Sequence, residues 1–147
     1  DYDHLFTVNT KGAFFLVQAA LDLNLIPDNG RIISISSIAA RRANPSSGMY
    51  SGSKAALEAF SRNWAAELGP RGITSNCVCP VPVRSAMWDG VAAGKPGHEE
   101  KMGAASLLGR IGEVDDISKV IAFLASPDAK WITGQSIQAS GGMVLGL

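Results

Sequence analysis

Tyr50 and Lys54 stand four residues apart in Tyr50-Ser-Gly-Ser-Lys54, and Ser37 lies thirteen residues ahead of the tyrosine. A phenol, an ammonium and a hydroxyl brought to one place can jointly protonate a carbonyl oxygen. A free tyrosine has a pKa of about 10, poorly matched to proton transfer at neutral pH, and a neighbouring ammonium favours the phenolate and lowers that value. Each unit of lowering corresponds to roughly 1.4 kcal/mol of differential interaction between the two protonation states. A tyrosine so shifted becomes a usable general acid or base.

A Tyr-x-x-x-Lys pair is also what an ordinary solvated helix face produces, so the surrounding elements decide its meaning. The alanine-rich run from Lys54 to Leu68 reads as helix. Extending it back to about Met49 stacks the tyrosine over the lysine on one face, and Gly69-Pro70 stops it. Leu57, Phe60, Trp64 and Leu68 form its apolar stripe. Upstream, Arg31-Ile-Ile-Ser-Ile-Ser-Ser37 follows the turn signal Asp28-Asn29-Gly30, and its β-branched run suits a buried parallel strand. In open α/β sheets ligands lie beyond the carboxyl ends of strands, which puts Ser37 where a substrate sits. Ser36 is the alternative if the register is off by one, although strand alternation turns it to the opposite face.

The remaining elements follow the same logic. Apolar residues at helical spacing run from Asp3 to about Leu23, ahead of Pro27 and Asn29-Gly30. A second strand is expected from Ile73 to Cys79, leading into Pro80-Val-Pro-Val-Arg-Ser85, and a third from Gln135 to Ala139 after a helix from about Glu113 to Ala125. Every connection is then a helical crossover, which predicts a parallel sheet. Residues 85–110 hold five glycines, Met87, Trp88 and a charged Lys95-to-Lys101 piece, small and flexible residues that suit a closing lid as well as a plain surface excursion.

Composition narrows the classes of function. With 13 basic and 13 acidic side chains the formal charge is zero, and no basic cluster exceeds Arg41-Arg42, which argues against nucleic acid or an anionic membrane as the main partner. No apolar run approaches the roughly 20 residues of a membrane span, and no signal peptide opens the chain, so a cytoplasmic location is expected. Cys77 and Cys79 are too close for an ordinary disulfide and share one strand face; with no histidine nearby they read as reduced packing residues and no metal site is expected. His4 and His98 are isolated, at a helix end or in a loop.

Taken together, Val8-Asn9-Thr10-Lys11-Gly12, Ile35-Ser36-Ser37, Tyr50-Ser-Gly-Ser-Lys54, Asn76 to Pro80, Leu124-Ala-Ser126, Ile132-Thr-Gly134 and Gly141-Gly142 resemble the catalytic half of a classical short-chain dehydrogenase/reductase. The resemblance covers nearly the whole chain and is similar to 3-oxoacyl-carrier-protein reductases and fungal polyketide or naphthol reductases. It implies an oxidoreductase using NAD or NADP, with NADP preferred, that interconverts a carbonyl and an alcohol of a small molecule. Tyr50 is then the proton donor, Ser37 orients substrate, Lys54 lowers the tyrosine pKa and holds the nicotinamide ribose, and Asn9 completes the proton relay, where a lone asparagine could also be a polar helix flank. Cofactor contacts fall on Tyr50, Lys54, Pro80, Val83 (backbone) and Ser85 (hydroxyl). The helices at 3–23 and 49–68 are the ones through which such proteins pair with a second copy, so a homo-oligomer is implied.

Two departures stand out. The family's usual Pro-Gly is Pro80-Val81 here, where a branched side chain is expected to crowd the cofactor or force a different φ. Ser140 stands where an aspartate is common, a change expected to affect a turn or subunit contact rather than chemistry. The chain also has no G-x-G-x-x-G loop and no initiator methionine. The expected fold is therefore the C-terminal part of a doubly wound parallel α/β sheet, a single partial domain of three strands with the nucleotide-phosphate-binding half missing. An inactive or truncated homologue acting through subunit association is the competing expectation.

Overall fold

Strand β1 (Arg31–Ile35) opens the sheet, and its two central isoleucines divide the molecule. Ile32 packs with Trp64, Leu68 and Ile73 on one face, joined by Phe14, Val17, Leu21, Ile26 and Phe60. Ile33 lies on the other face, against the cluster of Val78, Leu124 and Ala129 with Ile117, Val120 and Ile137. Adjacent residues of a strand point to opposite faces, so an Ile-Ile pair is what a strand covered on both sides requires. The computed structural model describes residues 1–145.

The sheet order is β1-β2-β5, all parallel, with β2 (Thr74–Pro80) in the middle and β5 (Ser136–Ala139) beyond it. Arg31 pairs with Thr74 and Ile35 with Val78, while Cys77 pairs with Ser136 and Pro80 with Ala139. The three expected strands and their parallel sense are thus present. β2 is buried on both faces almost throughout, so its alternating sequence does not mark a half-solvated strand. Asn76, 1 % exposed, is tolerated in this core because its amide donates to the Ile132 carbonyl and its oxygen accepts from Gln135 N–H, stitching β2 to the turn before β5.

One face is covered by α2 (Ala13–Asp22) and α3 (Gly48–Leu68), the other by α6 (Val114–Ala125). Gly72 ends the turn after α3 in the left-handed region, at φ 69°, which a glycine adopts without strain. The segment expected as one helix over 3–23 is helical but divided: α1 (Tyr2–Phe6), a π-helical stretch (Thr7–Gly12), then α2. Two further short helices, α4 (Ala86–Ala92) and α5 (His98–Ala104), occupy the segment 85–110, which is flanked by a two-residue parallel bridge between β3 (Val83–Arg84) and β4 (Gly112–Glu113). That bridge is too short to leave a sequence pattern. Among the described residues no helix is long and apolar enough to cross a membrane.

α6 begins with a capping box in which the Glu113 N–H donates to Asp116 Oδ2 at 2.7 Å. Arg110 adds a two-pronged pair to the same carboxylate, at 2.6 and 3.0 Å. Arg110 foremost, and the Glu113 amide next, hold the Asp116 carboxyl down to about 2. An unfolded aspartate titrates at about 3.9, so the folded value is depressed. The stabilisation is complete above the unfolded pKa and lost as pH falls through the folded one. Asp116→Asn is expected to lower the urea midpoint at pH 6 and to converge with wild type near pH 2; a constant offset across that range would refute the assignment.

Candidate active site

Helix α3 sets Tyr50 and Lys54 one turn apart, with the Lys54 ammonium 5.9 Å from the centre of the Tyr50 ring. From there Lys54 Nζ reaches the last residue of β1 and donates to the Ile35 carbonyl at 2.9 Å. Burial pushes the Lys54 pKa below its ordinary value. Tyr50 is 38 % exposed, in the first turn of α3.

Asn9 enters through Ser53, which is wholly buried. Asn9 Nδ2 donates to Ser53 Oγ at 3.1 Å, and that hydroxyl donates to the Tyr50 carbonyl at 2.8 Å. Thr10 Oγ1 adds a bond to the Ser53 carbonyl. Asn9 sits inside the π-helical stretch, where the backbone widens by one residue per turn; such bulges are common at functional sites. Gly12 closes that stretch, and a Cβ there would stand 3.1 Å from the Thr7 carbonyl oxygen, so a larger residue would press on the widened turn. A helical pattern with i, i+3 and i+4 apolar positions does not register a single widened turn, which is why the sequence reads as one helix.

Ser36 and Ser37 separate as strand alternation predicts. Ser36, 3 % exposed, faces α3, and its Oγ lies between the Lys54 carbonyl at 3.3 Å and Glu58 Oε1 at 3.1 Å. Ser37 is half-buried and caps the short 3-10 turn Ile38–Ala40, its Oγ accepting from the Ala39 N–H. An accepting hydroxyl keeps its proton to donate. Ser37 thus follows directly on the two residues that contact Lys54.

Glu58 was not legible as a site residue. It is 3 % exposed, accepts from Ser36 and from Cys79 Sγ at 3.2 Å, and pairs with Arg41 Nε at 2.8 Å. Burial raises its pKa, but the bonds from Arg41 and Cys79 help to outweigh it and the net direction is down, so it is a carboxylate. The same burial, with Glu58 close by, pushes the Cys79 thiol up to about 12 and also raises Cys77. Both thiols face α3, as their shared parity requires. A carboxylate directly after Leu57 on the apolar stripe was the available signal.

Pro80 is the last residue of β2, and Val83 and Ser85 lie past its carboxyl end. Ser85 caps α4: its Oγ donates to the Val83 carbonyl at 3.1 Å and accepts from Trp88 N–H. The branched Val81 is the residue expected to crowd the cofactor or force a different φ. Its φ is not among the positive values, and its buried side chain turns into a hollow shared with Ile111, Gly112, Ile117 and Val120. Ser140 also behaves as expected for a turn residue, bonding both the N–H and the carbonyl of Val144. Trp88 of α4 stacks on His98 of α5, and Arg84 of β3 pairs with Glu99 of α5 and with Glu113 of β4.

Over residues 1–144 the chain matches the family model described as enoyl-(acyl carrier protein) reductase, a model of short-chain dehydrogenases/reductases. The chain belongs to the short-chain dehydrogenase/reductase family. Among curated members it is 42 % identical over 155 residues to the hydroxynaphthalene reductase-like protein Arp2 of Metarhizium brunneum, covering 98 % of this chain and 57 % of that protein. Among solved members it is similar to the angucycline C-6 ketoreductase LanV with bound NADP, at 42 % identity and TM-score 0.88, covering 99 % of this chain and 55 % of that one. A blue fluorescent protein from a metagenomic library, in complex with NADPH, matches at 38 % identity and TM-score 0.88, covering 99 % and 57 %. The chain therefore spans about half the length of the short-chain dehydrogenases/reductases it matches, and the sheet of three parallel strands corresponds to that part of their fold.

Proposed function

We propose that this chain carries the catalytic residues of an NADP-linked oxidoreductase that interconverts a carbonyl and an alcohol of a small molecule. The observation that carries the reading is the Lys54 ammonium, held between the Tyr50 ring and the carboxyl end of β1. Tyr50 donates its phenolic proton to the carbonyl oxygen, and Ser37 donates a hydrogen bond to the same oxygen, orienting it. Lys54 stabilises the phenolate left behind. Asn9, through Ser53, fixes the turn from which Tyr50 projects.

The donor set fits a nicotinamide nucleotide. An ammonium has three N–H donors, of which one goes to Ile35, leaving two for a ribose diol. Tyr50 and Lys54 would hold that ribose, and Pro80, the Val83 backbone and Ser85 the carboxamide end. When bound, the nucleotide supplies the hydride. The solved relatives named above carry NADP or NADPH, which supports the preference for the phosphorylated form.

The test is NADPH and NADH consumption by the full-length protein against ketones, fused-ring aromatic ketones, quinones and 3-oxoacyl thioesters. Consumption of NADPH ahead of NADH with at least one carbonyl is the expected result; a folded protein that oxidises neither would overturn the reading. Pairing with a second copy belongs to the same proposal, supported by the exposed Val8, Phe15 and Leu16 on the first helical segment. Light scattering of the same preparation as a monomer removes it.

A further inference from the structure

Ser37 lies on a short turn whose two flanks are both held by one buried carboxylate. Ser36, immediately before it, donates to Glu58 Oε1 at 3.1 Å, and Arg41, four residues after it, donates through Nε to Glu58 Oε2 at 2.8 Å. Glu58 is the residue one helical turn beyond Lys54 and two beyond Tyr50, on the same helix α3. The Ser36 hydroxyl also lies 3.3 Å from the Lys54 carbonyl, so the strand end, the turn and the helix meet at this point. Inside the bracket, Ala39 N–H bonds Ser37 Oγ, and the Arg41 and Arg42 amides bond the Ile38 carbonyl.

Stability alone is a poor reason for this arrangement. Taking a carboxylate out of water costs several kcal/mol even when it is paired, and apolar residues of similar volume often serve a core equally well. Glu58 sits on the apolar stripe between Leu57 and Ser61, where a leucine would pack against β2. What an apolar residue cannot do is grip two points of a polar turn at fixed distance. A misplacement of about 1 Å in a reacting group costs as much as a hundredfold in rate.

We propose that Glu58 is a positioning residue: by gripping Ser36 and Arg41 it sets the Ser37 hydroxyl relative to Tyr50 and Lys54. The inference rests on the reading of Ser37 as the hydroxyl that orients substrate. Glu58 touches no reacting atom, and its effect passes through Ser37.

The test uses the full-length protein with Glu58→Gln, which keeps size and one acceptor but loses the ion pair with Arg41. Hydrogen exchange is measured at the amides of Ala39, Arg41 and Arg42. Opening of the turn is expected to speed exchange there by about tenfold while α6 and β5 amides keep their rates. Unchanged exchange in the turn, or equal acceleration everywhere, overturns the bracket whatever the catalytic activity. The kinetic arm compares Glu58→Gln in two backgrounds. With Ser37 present, kcat/KM for the carbonyl is expected to fall about tenfold or more. In Ser37→Ala the same change is expected to have less than about a twofold effect, because the group being positioned is gone. Additive losses in the two backgrounds would show a general structural role and overturn the proposal. Glu58→Asp, which keeps the charge on a shorter arm, is expected to restore part of the loss. A wild-type protein with no reductase activity would defeat the reading of function, and the exchange measurement would still decide the bracket.

Discussion

Tyr50→Phe is expected to reduce NADPH-linked carbonyl reduction by at least about a hundredfold, in keeping with the 10²–10⁴-fold that positioned proton transfer contributes. The substitution removes one oxygen and its proton. Tyr50 is 38 % exposed, and the bonds that fix its turn are made by its backbone carbonyl through Ser53, which phenylalanine leaves in place. The ring that faces Lys54 also survives. Folding is therefore expected to stay close to wild type, with the main loss in kcat and a smaller weakening of nucleotide binding from the lost ribose contact. The check is single-turnover NADPH oxidation alongside a urea denaturation curve. A Tyr50→Phe variant with near-normal turnover would sink the proton-transfer role, and one that fails to fold would show the phenol to be structural.

The second large effect belongs to the core. Trp64 is 5 % exposed and lies among Ile32, Leu68 and Ile73, with its ring 6.0 Å from that of Phe60 and 6.1 Å from that of Phe14. It joins α3 to both β1 and α2, so the cavity left by Trp64→Ala has walls on three elements. Deleting a buried aromatic of this size costs about 3–5 kcal/mol, against the 5–15 kcal/mol by which domains are typically stable. The urea midpoint is expected to fall accordingly, with the slope unchanged. A loss under about 1 kcal/mol would mean that the Phe14, Phe60 and Trp64 cluster closes over the gap, contrary to the restricted relaxation of packed cores.

Much of the site was legible because it obeys local periodicities. The i, i+4 spacing of Tyr50 and Lys54 needs only a helix, and the choice of Ser37 over Ser36 rests on strand alternation; Ser36 is buried against α3. The three strands were readable from β-branched runs bounded by turn residues. Glu58 was not, since its principal partner Arg41 is 17 residues away and a charge one turn after a lysine looks like a solvated face. The π-helical stretch around Asn9 was hidden because one widened turn barely disturbs an apolar stripe. At Val81 the sequence shows that a side chain has replaced a hydrogen, but not that it lies beside Gly112 and lines a hollow there.

The parallel pairing has a consequence for how this site comes into being. Arg31 meets Thr74 only after α3 has been crossed, and Cys77 meets Ser136 only after the lid and α6. Such non-local pairings bear the cost of loop closure before any contact compensates for it, which makes parallel sheets slow to form. Tyr50, Lys54 and Glu58 become neighbours as soon as one helix nucleates, whereas Ile35, Ser36 and Ser37 reach that helix only when β1 docks. On the proposed reading, Tyr50 and Lys54 are first a bare helical face in water, and the proton-transfer site is complete only once the strand end at Ile35 has closed onto that face.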